Sequence, residues 1–203
     1  YKELSKKLGI KKIERIDAFD ISHQYMQQGV GSCVVFSESG ASKRDYRLFN
    51  IPNNIAGNDV ASMEHVILRR LKYYENQKPD LILIDGGRAQ LNFTNRILKK
   101  FNIENILVLG IAKGKGRVRA TETIYTNKGV IEIDPHSESF RLLNELRDES
   151  HRFAITASRK KIRKTNKYSA LDSVRGIGPI TKKALLKKFK SLKAIKEASK
   201  DDL

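Results

Sequence analysis

Leu81, Ile82, Leu83 and Ile84 form an unbroken apolar run bounded by Pro79 on one side and by Asp85, Gly86 and Gly87 on the other. A short run of branched aliphatics closed in this way predicts a strand buried on both faces, with its carboxylate at the carboxyl end. Open α/β sheets keep their active sites at that end. Ile13, Ile16, Phe19 and Ile21 predict an earlier strand, and Asp20 sits inside it. Leu4 and Leu8 among lysines predict the tail of a helix leading into that strand. Ser32 to Phe36 reads as a second strand, residues 38–42 as a hairpin loop, and the alternation over residues 43–51 as a third strand. Strands joined by such short connections should be antiparallel.

The period then changes. Val60, Met63, Ile67, Leu71 and Tyr74 recur at helical spacing, with Asn58 or Asp59 as the N-cap. Pro79 ends that pattern before the central strand. Residues 89–101 form a second amphipathic helix, and Ile106 to Ile111 a further buried strand that ends at Ala112, Lys113 and Gly114. The Gly- and Lys-rich stretch KGKGRVRAT is expected to be a mobile loop, followed by a hairpin of Thr123–Tyr125 and Val130–Ile133. A long helix from Ser137 takes its apolar face from Phe140, Leu143, Leu146 and Phe153, with His151 in its middle. Three antiparallel strands, helix, strand, helix, strand, helix is the succession of an α/β fold with a ribonuclease H-like mixed sheet and flanking helices. In that arrangement the first and fourth strands lie parallel and adjacent, joined by a right-handed crossover.

This organisation gives a lead-in segment over residues 1–12, a ribonuclease H-like domain over 13–158, and a basic linker or solvated helix end over 159–168. A small all-α module over 169–203 follows, with short helices at Ile180–Phe189 and Leu192–Ala198. Charge sharpens the division. Of the formal +17, residues 1–150 carry 24 basic and 19 acidic side chains, and residues 151–203 carry 16 basic and 4 acidic. A tail so basic points to a polyanion, most often nucleic acid. No apolar span suits a membrane. A single cysteine, Cys33, excludes an internal disulfide and a cysteine-based zinc site, and with no leader segment visible a cytosolic location is expected. The chain begins at Tyr1 in mid-pattern and stops at Leu203 without a closing element, as a fragment of a larger protein would.

Chemistry concentrates on a few polar side chains. A carboxylate within an apolar strand costs several kcal/mol unless it is paired or bound to a metal, which singles out Asp20. If its strand lies parallel to that of Asp85, the two carboxylates share one crevice, repel each other, and are relieved by a divalent cation. Read alone, Asp85 equally serves as a turn residue, Asp59 as an N-cap, and His151 as a surface histidine. No zinc-peptidase, serine-hydrolase or P-loop motif is present. Gly176-Ile177-Gly178-Pro179 before a Lys-rich helix lets backbone amides approach a phosphate, with Thr181, Lys182 and Lys183 beside it; an ordinary inter-helix turn has the same sequence.

With these residues in view the chain resembles the C-terminal half of the excinuclease C (UvrC) family of bacterial nucleotide excision repair. The resemblance is carried by FDISH at Phe19–His23, by Asp45-Tyr46-Arg47 before Phe49, and by NDVASM at Asn58–Met63. It continues through LILIDGG at Leu81–Gly87, RDESHRFA at Arg147–Ala154 and GIGP at Gly176–Pro179. Ala89 and Lys190 stand where the family usually has glycine. What the resemblance implies is a ribonuclease H-like endonuclease followed by a helix-hairpin-helix DNA-binding module truncated before its second hairpin. The family's activity is a metal-dependent incision 5′ to a lesion, by metal-activated water attack on a phosphodiester, using Mg²⁺ or Mn²⁺. The catalytic positions fall on Asp20, Asp59, Asp85 and His151, with Asp20, Asp85 and His151 as metal ligands. DNA contacts fall on Gly176, Ile177, Gly178, Thr181, Lys182, Lys183 and Lys113. The implied partners are lesion-containing DNA, the damage-loading B subunit (UvrB) and UvrA. Two other readings share these features: a non-catalytic DNA-binding scaffold of the same fold, and a junction-resolving nuclease.

Overall fold

The computed structural model describes residues 1–22, 29–113, 122–172, 174–199 and 202. His23 and the glycine-rich stretch after Lys113 lie outside them. The chain divides into two compact units, Tyr1–Ser158 and Arg159–Leu203.

In chain order the first unit contains α1 (Lys2–Leu8), β1 (Arg15–Ser22), β2 (Val30–Ser37), β3 (Gly40–Ala41), β4 (Arg47–Asn50), α2 (Asp59–Leu71), α3 (Tyr74–Gln77), β5 (Leu81–Asp85), α4 (Arg88–Lys100), β6 (Leu107–Lys113), β7 (Glu122–Thr126) and β8 (Gly129–Ile131). The helix α5 (Glu138–Asp172) follows. Among the described residues the eight strands make one mixed sheet in the order β3-β2-β1-β5-β6-β7-β8, with β4 also pairing with β2. β1 and β2 are antiparallel. β1, β5 and β6 run parallel. The expected parallel neighbours are therefore the central strands of the sheet.

Residues of alternate parity on these strands feed two separate cores, as the pleat requires. Phe19, Ile82 and Ile84 pack with Met63, Val66 and Ile67 of α2 and Leu91, Ile97 and Leu98 of α4. Ile16, Ala18, Leu81 and Leu83 pack on the other face with Leu4 of α1 and Leu143 and Leu146 of α5. The result is three layers, helices against both faces of a sheet. Residues 1–12, set apart in the sequence reading, thus give this core a fully buried Leu4.

Two local features differ from the sequence pattern. Residues 43–45, expected as strand, form a 3₁₀ turn. Asp45 is the cause: its Oδ2 accepts from Ser42 Oγ at 2.9 Å and from Arg15 Nη1 at 3.3 Å, which bends the chain before β4 can begin. The expected loop after β2 contains the two-residue β3, which pairs with β2 through Phe36 and Ser37. Of the two readings of residues 159–168, a linker or a helix end, the backbone is helical and continues α5.

Two close approaches set the positions of loops and helices. A Cβ on Gly31 would stand 2.2 Å from Val66 Cγ2, so α2 rests directly on β2 there. A Cβ on Gly110 would stand 2.7 Å from the Gly86 carbonyl oxygen. The turn after Asp85 therefore lies on β6, held also by a bond from Gly86 N to Ile111 O at 2.9 Å.

A buried ion pair joins α2 to the sheet. Arg70 and Asp17 are both fully buried, and Arg70 Nε donates to Asp17 Oδ2 at 2.8 Å. Arg15 Nε donates to Asp17 Oδ1 at 3.2 Å. Burial alone would lower the Arg70 pKa, but the Asp17 carboxylate bonded to it holds it above its ordinary value. Burial also pushes the Cys33 thiol well up, so it stays protonated.

The second unit contains α6 (Pro179–Phe189) and α7 (Leu192–Glu197). Gly178 caps α6 with no side-chain acceptor and Pro179 occupies its first turn. Gly176 has φ +88°, a conformation that L side chains rarely adopt. Lys190 closes α6 at φ 60°, in the left-handed region.

Two stability predictions follow from these contacts. Asp17→Ala leaves Arg70 charged and uncompensated in the core, and denaturant melts should show a loss of about 3–5 kcal/mol. Asp17→Leu combined with Arg70→Met should recover most of that loss; a double variant as unstable as the single one contradicts the role given to the pair. Lys190→Gly relieves the left-handed backbone and should stabilise the second unit by roughly 1 kcal/mol. An unchanged or lower melting temperature there is the contrary result.

Candidate metal centre

The parallel register Phe19↔Ile84 sets the next residue of each strand, Asp20 and Asp85, at the same carboxyl edge. Both share the parity of Ile16, Ala18, Leu81 and Leu83, so both carboxylates belong to the face covered by α5. That helix supplies His151. One ligand atom from each of Asp20, Asp85 and His151 lies within 4.8 Å of the others. Asp20 is buried, Asp85 half-buried, and the His151 side chain 57% exposed. His151 Nδ1 stands 3.2 Å from Asp20 Oδ2, across 131 residues of sequence.

Two carboxylates and an imidazole suit a divalent cation. Carboxylate oxygens are the donors preferred by hard ions of the Mg²⁺ and Mn²⁺ type, and imidazole is a common ligand for transition ions. The three side chains fit such an ion by donor chemistry and by their mutual spacing.

The turn of α5 bearing His151 is anchored to the sheet on each side. Ser32, fully buried on β2, donates from Oγ to the Ser150 carbonyl oxygen at 3.0 Å. Ser32 is the register partner of Asp20. Tyr46 donates from its hydroxyl to Glu149 Oε1 at 3.1 Å, and its ring meets Phe153 edge-on with centroids 5.1 Å apart. Arg152 grips the same carboxylate with bonds of 2.6 and 2.8 Å. Those Arg152 bonds hold Glu149 below the usual carboxylate range. Burial, then the charge of Glu149, raises the Tyr46 hydroxyl above its ordinary value. Farther along, Arg147 pairs with Glu122 of β7.

The other expected site residues are placed differently. Asp59 is exposed in the first turn of α2, behind Asn58, whose side chain accepts from Ala61 N at 3.0 Å. The buried residues of that helix pack on the opposite face of the sheet, and Asp59 is outside the three-residue group. Lys113 ends β6, two residues beyond Ile111, the register partner of Asp85. In the second unit Thr181 and Lys183 are exposed, as are Gly176 and Gly178, while Ile177 is half-buried. Lys182 is only 8% exposed and so does not present a free surface charge.

Ser32 and Tyr46 are not among the expected site residues, although Tyr46 lies in the Asp45-Tyr46-Arg47 motif. The signal for Ser32 is the one that singles out Asp20, a polar side chain within an apolar strand.

The chain matches the family described as the UvrC RNAse H endonuclease domain over residues 5–155. It is 41% identical over 195 residues to UvrABC system protein C of Saccharophagus degradans, a match covering 93% of this chain and 32% of that protein. To the same-named protein of Pseudomonas savastanoi pv. phaseolicola it is 38% identical over 209 residues, covering 100% of the chain and 34% of the relative. The chain thus spans about a third of the length of these relatives. Among solved structures it is similar to Ciona intestinalis endonuclease V in complex with an inosine-containing DNA, with TM-score 0.39, 15% identity and coverage of 57% of this chain and 55% of that one. The catalytic domain of human endonuclease V gives TM-score 0.39 at 12% identity, covering 64% of this chain and 71% of that one. The match over residues 5–155 takes in every strand of the sheet and all three donors of the centre, and the chain belongs to the UvrC RNase H endonuclease domain family.

Proposed function

We propose that this chain is the part of an excision-repair nuclease that cuts a DNA strand on the 5′ side of a lesion. In this reading Asp20, Asp85 and His151 hold Mg²⁺ or Mn²⁺, and Asp59 is a further acidic residue needed for cutting. The observation that carries the reading is the convergence of three donors, from β1, β5 and α5, to within 4.8 Å at the carboxyl edge of the sheet. When bound, the cation supplies Lewis-acid stabilisation of charge on the phosphodiester and activation of water. The chain's own residues do the rest. Asp20 and Asp85 orient two anionic oxygens toward one point from a rigid strand pair. His151 completes the donor set or moves a proton, and its exposure gives the ring access to solvent and substrate. The buried flank of the site, with Asp20 at 5% exposure, excludes bulk water from one side of the reacting phosphate.

The second unit supplies the hold on DNA as the first hairpin of a helix-hairpin-helix module. Gly176, Ile177 and Gly178 offer backbone amides to a phosphate, and Thr181 and Lys183 flank them on the exposed side of α6. Lys182 acts through its place in the module rather than as a surface contact, and Lys113 is a further DNA-contacting residue in this reading. Lesion recognition falls to UvrA and to UvrB, which loads the nuclease, so the substrate of this domain is the DNA they deliver.

Asp20→Asn, placed in a full-length protein carrying this domain and assayed with both partner subunits, should lower 5′ incision by more than about 100-fold. Changes that act only from outside the donor set reach about 10- to 100-fold. Gel-shift affinity for DNA should be unchanged, and incision equal to that of the parent would refute the reading. DNA affinity of this chain should fall steeply with salt as counterions are released, and Lys183→Ala should flatten the log–log slope by about one. A slope indifferent to Lys183→Ala argues against the hairpin as the phosphate contact.

A further inference from the structure

We propose that Ser32 is a positioning residue for His151, setting its distance from Asp20 through the carbonyl of Ser150; this rests on the reading of Asp20, Asp85 and His151 as a metal centre. Ser32 is fully buried in a strand whose even-numbered neighbours Val34 and Phe36 are core residues of the α5 face. A hydroxyl there would be unfavourable without a partner. Its partner is the Ser150 carbonyl of α5, 118 residues away in sequence. Ser150 precedes His151, and Ser32 is the cross-strand partner of Asp20. One side chain is therefore linked on one side to the strand of the buried carboxylate and on the other to the residue before the imidazole. The 3.2 Å separation of His151 Nδ1 and Asp20 Oδ2 is set across that link.

The neighbouring anchor does a different task. Tyr46 and Arg152 hold Glu149 toward the 3₁₀ turn and β4, which fixes α5 at the sheet edge. Ser150 is itself fully buried, and its Oγ turns back to donate to Arg147 O at 2.8 Å, so the bond from Ser32 falls on the Ser150 backbone carbonyl and not on its hydroxyl. Loss of the Ser32 hydroxyl frees this turn of the helix from β2, the strand paired with that of Asp20, while the apolar contacts of Leu143 and Leu146 keep the helix docked.

The test is Mn²⁺ titration by calorimetry of four versions of this chain: the parent, Ser32→Ala, His151→Ala, and the double variant. Ser32→Ala should raise the Mn²⁺ Kd about tenfold in the parent, in line with the effects of residues that orient a ligand. In the His151→Ala background it should change the Kd less than twofold, because the group it positions is gone. An equal effect in both backgrounds, or no effect in the parent, overturns the proposal. Thermal melts of the metal-free proteins separate this from a purely structural role, which would lower the melting temperature and leave the Kd in place. Should Ser32→Ala fail to fold, Ser32→Thr retains the hydroxyl and should bind Mn²⁺ within about twofold of the parent; a tenfold loss there also overturns the proposal. A parent that binds no Mn²⁺, indistinguishable from Asp20→Asn, refutes the metal centre itself and the proposal with it. Binding by the parent with no response to Ser32→Ala refutes the role of Ser32 alone.

Discussion

The parallel pairing of β1 with β5 is the constraint on which the rest of the site depends. The register Ile16↔Leu81 to Phe19↔Ile84 is set by apolar side chains that are 0–1% exposed. Because side chains alternate along a strand, a slip of one residue would send Asp20 to the α2 face while leaving Asp85 on the α5 face. It would also turn Ile16 and Phe19 into the wrong cores. The hydrophobic register and the carboxylate pair are therefore one specification, and the apolar residues enforce the charged ones.

The same strand carries two buried carboxylates with opposite fates. Asp17 faces the α2 core, where Arg70 and Arg15 neutralise it with bonds of 2.8 and 3.2 Å. Asp20, three residues on, faces α5 and meets a histidine at 3.2 Å. Three residues is an odd interval, and an odd interval on a strand means opposite faces. An Arg partner fixes a permanent counter-charge and makes Asp17 structural. An imidazole offers a lone pair or a proton and leaves Asp20 able to take a cation. The difference lies in what each facing helix brings.

Periodicity made the skeleton legible. Leu81–Ile84 between Pro79 and the glycines, and the helical spacing after the Asn58 cap, are local signals that tertiary packing reinforces. Asp20 and Asp85 were legible as a pair because a strand order could be deduced and a carboxylate in an apolar strand demands a partner. His151 was not, beyond its motif: as a helix residue 57% exposed it has no local feature of a ligand, and only the docking of α5 on the sheet gives it one. Asp17 met the same sequence criterion as Asp20, yet its partner Arg70 lies 53 residues away on a helix whose packing face the pattern does not resolve to a single side chain. The late start of the third strand has a similar origin, since it depends on Asp45 reaching back to Arg15.

The energetics of the centre run against its electrostatics. Bringing the carboxylates of Asp20 and Asp85 within ligand distance of each other in a partly buried edge is unfavourable while both are charged. The arrangement is sustained by the cores above and below: Leu81 to Ile84 fix one strand, Ile16 to Phe19 the other, and Gly110 lets the turn after Asp85 lie flat on β6. His151 joins from 131 residues away in sequence, carried by a helix that packs on the same sheet. A site formed in this way is preorganised, because the free energy that holds the donors in place is spent by apolar residues in folding. A cation entering it gains from donors that need little rearrangement, and the repulsion between the two carboxylates becomes part of what draws it in.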